Sequence, residues 1–111
     1  MRQEYNKLVR DYIPAIVRQS GNQCEVAIMS EAEFSQALRE KLLEEAREAA
    51  SASSQDLVGE LADLQEVIDT LLAVYGISRE AVLTEQRRKR VERGGFSQRI
   101  RLLWTQPSQN R

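Results

Sequence analysis

Residues 30–76 read SEAEFSQALREKLLEEAREAASASSQDLVGELADLQEVIDTLLAVYG, and the folding of this stretch decides the architecture. Ser30 with Glu33 three positions later has the capping-box form, in which each residue's side chain takes the other's backbone amide. No proline or glycine interrupts the chain from there to Ala50, so the pattern predicts a long helix over 31–50. Ser51-Ala52-Ser53-Ser54 is a short small-residue joint. From Asp56 to Tyr75 leucine and isoleucine recur at helical spacing until Gly76 stops them, which predicts a second long helix. Two such helices on so short a joint form an antiparallel hairpin.

Outward from the hairpin the elements are shorter. Asp11 reads as an N-cap ahead of Pro14, opening a helix that ends near Gly21. Ser78 reads as the cap of a third long helix, from Arg79 to about Glu92, closed by Gly94-Gly95. Residues 24–29 alternate weakly and residues 98–104 carry Ile100, Leu102, Leu103 and Trp104, so a small two-stranded ribbon of 24–29 with 98–104 is expected to lie on the helices. The fold expected is therefore mainly α, a helical hairpin core of four-helix-bundle type, with residues 1–104 as one domain and 105–111 as a disordered tail.

Composition narrows the chemistry. A chain of 111 residues allows one domain, and 41% hydrophobic with 30% charged residues suits a protein that folds in water. No apolar run approaches the ~18–20 residues that cross a bilayer, and the N-terminus lacks a signal-peptide core, so a cytoplasmic protein without membrane contact is the expectation. There is no histidine and only one cysteine, Cys24, which excludes histidine bases, Ser-His and Cys-His nucleophiles, the usual zinc sites and an internal disulfide. Any metal must be held by carboxylates. Net charge is −1, with bases gathered between Arg79 and Arg101; this balance, with no aromatic residue among Arg87-Arg88-Lys89-Arg90, disfavours a nucleic-acid partner and reads as a solvated helix face.

The acids are placed where leucines belong. At 100° per residue, Phe34, Leu42 and Ala49 fall within about 40° of Leu38, and Glu45 falls inside that arc, about 20° from Leu38, with Glu48 at its edge. On the second helix Glu60 falls between Val67 and Leu71, and Asp63 flanks it. In an antiparallel pair joined near residue 54, Glu45 lies level with Asp63 and Glu48 with Glu60. Four carboxylates at one level repel one another unless a cation sits among them, and all-oxygen ligation suits Mg²⁺, for which Mn²⁺ can substitute. Lys41, one turn before Glu45, offers a plain salt-bridge alternative. Lys7 and Arg10 could likewise pair with these acids instead of a substrate.

Glu44-Glu45-Ala46-Arg47-Glu48 followed by Glu60-Leu61-Ala62-Asp63 resembles the EExxE and ExxD motifs of the MazG-like all-α nucleoside triphosphate pyrophosphohydrolases. Tyr5-Asn6-Lys7-Leu8-Val9-Arg10-Asp11 with Ile13-Pro14 looks like the opening of the phosphoribosyl-ATP pyrophosphohydrolase-like branch, and Lys89-Arg90-Val91-Glu92-Arg93-Gly94-Gly95-Phe96 looks like its ending. Tyr12 stands where that branch usually has lysine. The resemblance implies Mg²⁺-dependent hydrolysis of a nucleoside triphosphate, standard or modified, to the monophosphate and pyrophosphate. It implies metal ligation by Glu45, Glu48, Glu60 and Asp63, with Glu44 and Glu45 catalytic and Glu44 holding the attacking water. Lys89 and Arg93, one turn apart, with Gly94 and Gly95 would grip the phosphates, and Lys7 and Arg10 are weaker candidates. Alternatives are phosphoribosyl-ATP pyrophosphohydrolase proper and a non-catalytic helical interaction module. A homodimer or higher homo-oligomer is expected, because one hairpin exposes more leucine than a short helix and a ribbon can cover.

Overall fold

The computed structural model describes residues 1–108 of the 111-residue chain. Four helices follow in order: α1 (Ile13–Gln19), α2 (Glu31–Ser51), α3 (Leu57–Val74) and α4 (Arg79–Arg93). The arrangement is all-α, as the family resemblance implied, and no helix among the described residues is long and apolar enough to cross a membrane. Contacts divide the chain into two compact units, Met1–Ser78 and a second that begins at Arg79.

In the first unit the hairpin forms as its capping signals dictate. Ser30 Oγ accepts from the Glu33 amide at 3.2 Å while the Ser30 amide donates to Glu33 Oε1 at 2.9 Å, so two of the orphan donors at the start of α2 are satisfied reciprocally. Glu33's carboxyl is lowered by these two bonds. Residues 52–56 make the joint, held where the Asp56 amide donates to Ser53. At the far end of α3 the Gly76 amide donates to Ala73 and the Ile77 amide to Leu72, a Schellman motif that requires the left-handed φ of 65° at Gly76. α1 closes in the same way at Gly21. Arg39 ties α2 to this end, donating from Nε and Nη2 to the Tyr75 hydroxyl at 3.2 and 3.1 Å.

α2 packs on α3 along the predicted apolar arcs, with Leu38 at 2% exposure and Val67 the buried apolar side chains among the described residues. Outside this core Leu43, Leu57, Val58 and Leu61 are all exposed.

Two expectations are corrected. The ribbon of 24–29 with 98–104 does not form, since no strand occurs among the described residues. Arg99 at φ 57° breaks the extended backbone that a strand over 98–104 needs, and Val26, Ile28, Ile100, Leu102, Leu103 and Trp104 stay exposed. The cap of α1 is Tyr12 and not Asp11; Tyr12 has helical dihedrals and makes no side-chain cap, and the turn is entered through the Ile13 amide donating to Arg10 O at 3.1 Å. The expected tail, 105–111, lies partly outside the described residues.

Candidate metal centre

The hairpin carries Glu45 on α2 into register with Glu60 and Asp63 on α3, and one carboxylate oxygen from each lies within 4.8 Å of the other two. The level-matching of Glu45 with Asp63 read from the sequence holds. Glu45 is the most enclosed of the three at 6% exposure, because it occupies a core position beside Leu38 and Leu42 on its own helix.

Cations meet this group from outside. Lys41 Nζ lies 3.5 Å from Glu45 Oε1 and 3.2 Å from Glu44 Oε1. From the segment before α1, Lys7 reaches Glu44 at 3.5 Å and Arg10 donates from Nη2 to Asp63 Oδ1 at 2.7 Å. None of these contacts reaches the inner edge of the cluster. Glu45 Oε2 and Glu60 Oε2 are both buried and have no hydrogen-bond partner. A buried carboxylate oxygen without a donor is costly, and two of them on residues of one acid cluster is an arrangement a hard divalent cation would relieve. The oxygen-only donor set fits Mg²⁺ or Mn²⁺.

Electrostatics agree. Burial first, and then the negative charge of Glu48, pushes the Glu45 carboxyl above its ordinary value, with Lys41 only partly opposing them. Glu44 moves the other way: its hydrogen bond from Lys41 holds it below the ordinary value despite some burial, with the charges of Lys41 and Lys7 adding to the effect. The pair of neighbouring glutamates is thereby split into one that resists ionisation and one that favours it.

Glu48, expected as a fourth ligand, is exposed and does not belong to the three-residue group; it acts on Glu45 through its charge. Lys89, Arg93, Gly94 and Gly95 belong to the second unit, where Lys89 and Arg93 stand one turn apart on α4 and Gly94 closes the helix at φ 84°, its amide donating to Arg90 O at 2.8 Å.

The cations pair with the acids, the alternative that the sequence left open beside substrate contact. Lys41 serves Glu44 and Glu45 together, and Lys7 and Arg10 touch the acids of both hairpin helices. Their signal was present in the chain, as two bases three positions apart ahead of a helix start. A cleft of about 150 Å³ was not legible at all; it lies between Asn6, Lys7 and Leu8 on one side and Met29, Ala37 and Lys41 on the other, and reaches Glu44.

A protein-family model described as phosphoribosyl-ATP pyrophosphohydrolase matches residues 13–90, which include all five acids named above. No curated protein matches the chain. No solved structure matches it either.

Proposed function

The chain belongs to the phosphoribosyl-ATP pyrophosphohydrolase family, and from that premise we propose that it hydrolyses the α,β-phosphoanhydride bond of phosphoribosyl-ATP, with Mg²⁺, releasing pyrophosphate. The observation that carries this reading is the pair of buried, unpartnered oxygens, Glu45 Oε2 and Glu60 Oε2, beside Asp63. Glu45, Glu60 and Asp63 would hold the cation, with Glu48 at the margin. Bound there, a divalent ion neutralises phosphate charge and lowers the pKa of coordinated water. Glu44, kept ionised by Lys41 and Lys7, accepts a hydrogen bond from the attacking water and orients it. Glu45 ligates as its carboxylate, and an ion bound there opposes the burial that raises its pKa. Lys89, Arg93, Gly94 and Gly95 are proposed as phosphate-binding groups of the second unit.

A second reading is hydrolysis of simple or modified nucleoside triphosphates, which the same acid cluster would serve.

We also propose that two copies pair through their hairpins. Leu43, Leu57, Val58 and Leu61 leave an apolar surface that a second hairpin of the same kind would cover, completing a four-helix bundle.

The test is incubation of the protein and its Glu45→Gln and Glu60→Gln variants with Mg²⁺ and either phosphoribosyl-ATP or a panel of standard and modified triphosphates, following pyrophosphate release. Turnover of phosphoribosyl-ATP lost in both variants is the expected result. Turnover confined to the panel selects the second reading. Silence on every substrate, with a melting temperature indifferent to Mg²⁺, leaves the helical interaction module.

A further inference from the structure

The segment ahead of α1 is fixed at two points before it meets the acids. Asn6 turns it through a left-handed backbone, φ 46°. Four residues on, the Ile13 amide donates to Arg10 O at 3.1 Å and ties the Arg10 backbone to the first turn of α1, where Pro14 has no amide hydrogen to satisfy. Two cations of this segment reach different hairpin helices: Lys7 meets Glu44 on α2 at 3.5 Å, and Arg10 meets Asp63 on α3 at 2.7 Å.

The two contacts differ in kind. Lys7 adds charge at long range to an acid that Lys41 already holds, whereas Arg10 Nη2 makes a charge-assisted hydrogen bond of ordinary length to one oxygen, Oδ1, of Asp63. Asp63 belongs to the three-acid group, and its side chain keeps 44% of its surface exposed, so packing alone leaves the carboxylate free to rotate. The bond from Arg10 restricts it. Lys41 stands in the same relation to Glu45, with its contact on Oε1 while Oε2 stays buried and unpartnered. On each hairpin helix a cation thus takes one oxygen of an acid from outside and leaves the other to the group.

The charge balance points the same way. The five acids of the EExxE and ExxD stretches are met by three cations, Lys7, Arg10 and Lys41, an excess of two negative charges that one divalent ion matches. Repulsion between Arg10 and such an ion is the opposing effect. It acts across a half-exposed pair, where water and salt screen it, while the orienting hydrogen bond is a direct contact and keeps its effect.

We propose that Arg10 is a positioning residue of the metal site: its guanidinium holds the Asp63 carboxylate by Oδ1 and keeps the other oxygen available to a divalent cation, which couples the segment ahead of α1 to metal binding. The inference rests on the proposed cation site of Glu45, Glu60 and Asp63, and it gives Arg10 a task at the acids in place of phosphate contact. Outer partners of metal ligands are worth about 10–100-fold in metal affinity. The coupling is reciprocal, so whatever factor the contact adds to affinity, the bound ion adds to the contact.

The experiment reads both directions. Mg²⁺ affinity is measured by calorimetry on the native protein, Arg10→Leu and Arg10→Lys, with melting in EDTA as the control for folding, and the native protein is digested briefly with trypsin with and without Mg²⁺. Arg10→Leu is expected to bind Mg²⁺ about tenfold or more weakly at an unchanged melting temperature in EDTA, since an exposed ion pair adds little to stability by itself. Arg10→Lys, which keeps a donor and the charge, is expected to recover part of the loss. In the native protein Mg²⁺ is expected to slow cleavage after Lys7 and Arg10 by up to the same factor, with cleavage after Arg101 in the second unit unchanged. Arg10→Leu binding Mg²⁺ as tightly as the native protein or more so, or Mg²⁺ speeding cleavage after Arg10, overturns the proposal while the acid site stands. If the native protein binds no Mg²⁺, the site and the inference fall together.

Discussion

Substituting Glu45 by glutamine should move stability in opposite directions with and without metal. In the metal-free protein this carboxylate is 6% exposed, crowded by Glu48 and Asp63, and offset by Lys41 at 3.5 Å while Oε2 has no partner. The amide keeps the shape, removes the charge and brings an N–H that can donate to the neighbouring acids, relieving an unsatisfied buried group worth about 1–3 kcal/mol. Loss of the Lys41 contact takes back about 1 kcal/mol, since the pair is long at 3.5 Å and Lys41 keeps its bond to Glu44. The metal-free variant is therefore expected to equal the native protein or exceed it by up to about 2 kcal/mol. With Mg²⁺ at about 100 times its dissociation constant, the native protein gains about 2.7 kcal/mol, or roughly 10–20 °C in Tm for a domain of this size. A variant binding the ion about 100-fold more weakly gains only about 0.4 kcal/mol under the same conditions. Melting followed by circular dichroism, at fixed protein concentration, in EDTA and again in excess Mg²⁺, reads both halves. The two orders of Tm must cross. A native Tm that ignores Mg²⁺, together with a variant that is less stable in both solutions, refutes the metal site and leaves the acids as partners of Lys41 and Arg10.

Because burial and Glu48 raise Glu45 in the folded state above its ordinary value of 4.5, the folded protein holds the extra proton between the two values; its metal-free stability is greatest below 4.5 and is lost as pH rises through the raised value. Mg²⁺ affinity runs the other way across that window, with proton release detectable by calorimetry in buffers of different ionisation enthalpy; affinity that does not rise as pH climbs from below 4.5 contradicts this. Gly76→Ala is expected to cost about 1 kcal/mol in urea denaturation, since φ is 65° there, whereas Gly59→Ala, inside α3 with open space around it, is expected to gain about 0.5–1 kcal/mol. Ser30→Ala removes the capping box of α2 and is expected to lower stability by about 1 kcal/mol by the same measurement. Sedimentation should give a dimer at micromolar concentration that Val58→Glu, on the exposed stripe of α3, converts to monomer; a native monomer removes the pairing proposal.

The hairpin was legible because its signals are local. Ser30 and Glu33 are three positions apart, Gly76 follows the last apolar repeat, and helical periodicity with a short joint places Glu45, Glu60 and Asp63 together without further information. Glu48, which the helix rotation puts at the edge of the apolar arc about 80° from Leu38, is exposed, as that rotation dictates. The ribbon was misread because short apolar alternation describes a strand only if a neighbour supplies hydrogen bonds, and the sequence does not show that Arg99 adopts a left-handed backbone. For Lys7 and Arg10 the sequence offered pairing with the acids but not which acid each takes. Their contacts span long stretches of chain, for which no periodicity exists.

The Arg10–Asp63 ion pair joins residues 53 apart, whereas the two hairpin helices are linked by residues 52–56. Closing the short joint costs little chain entropy and can happen as soon as α3 exists; docking the opening segment closes a far longer loop. Residues synthesised ahead of the hairpin are thus among the last to find their partners, since Arg10 has nothing to grip until Asp63 has emerged and been turned back toward it. The order of assembly is built into the connectivity: scaffold first, acids second, and the wall beside them last.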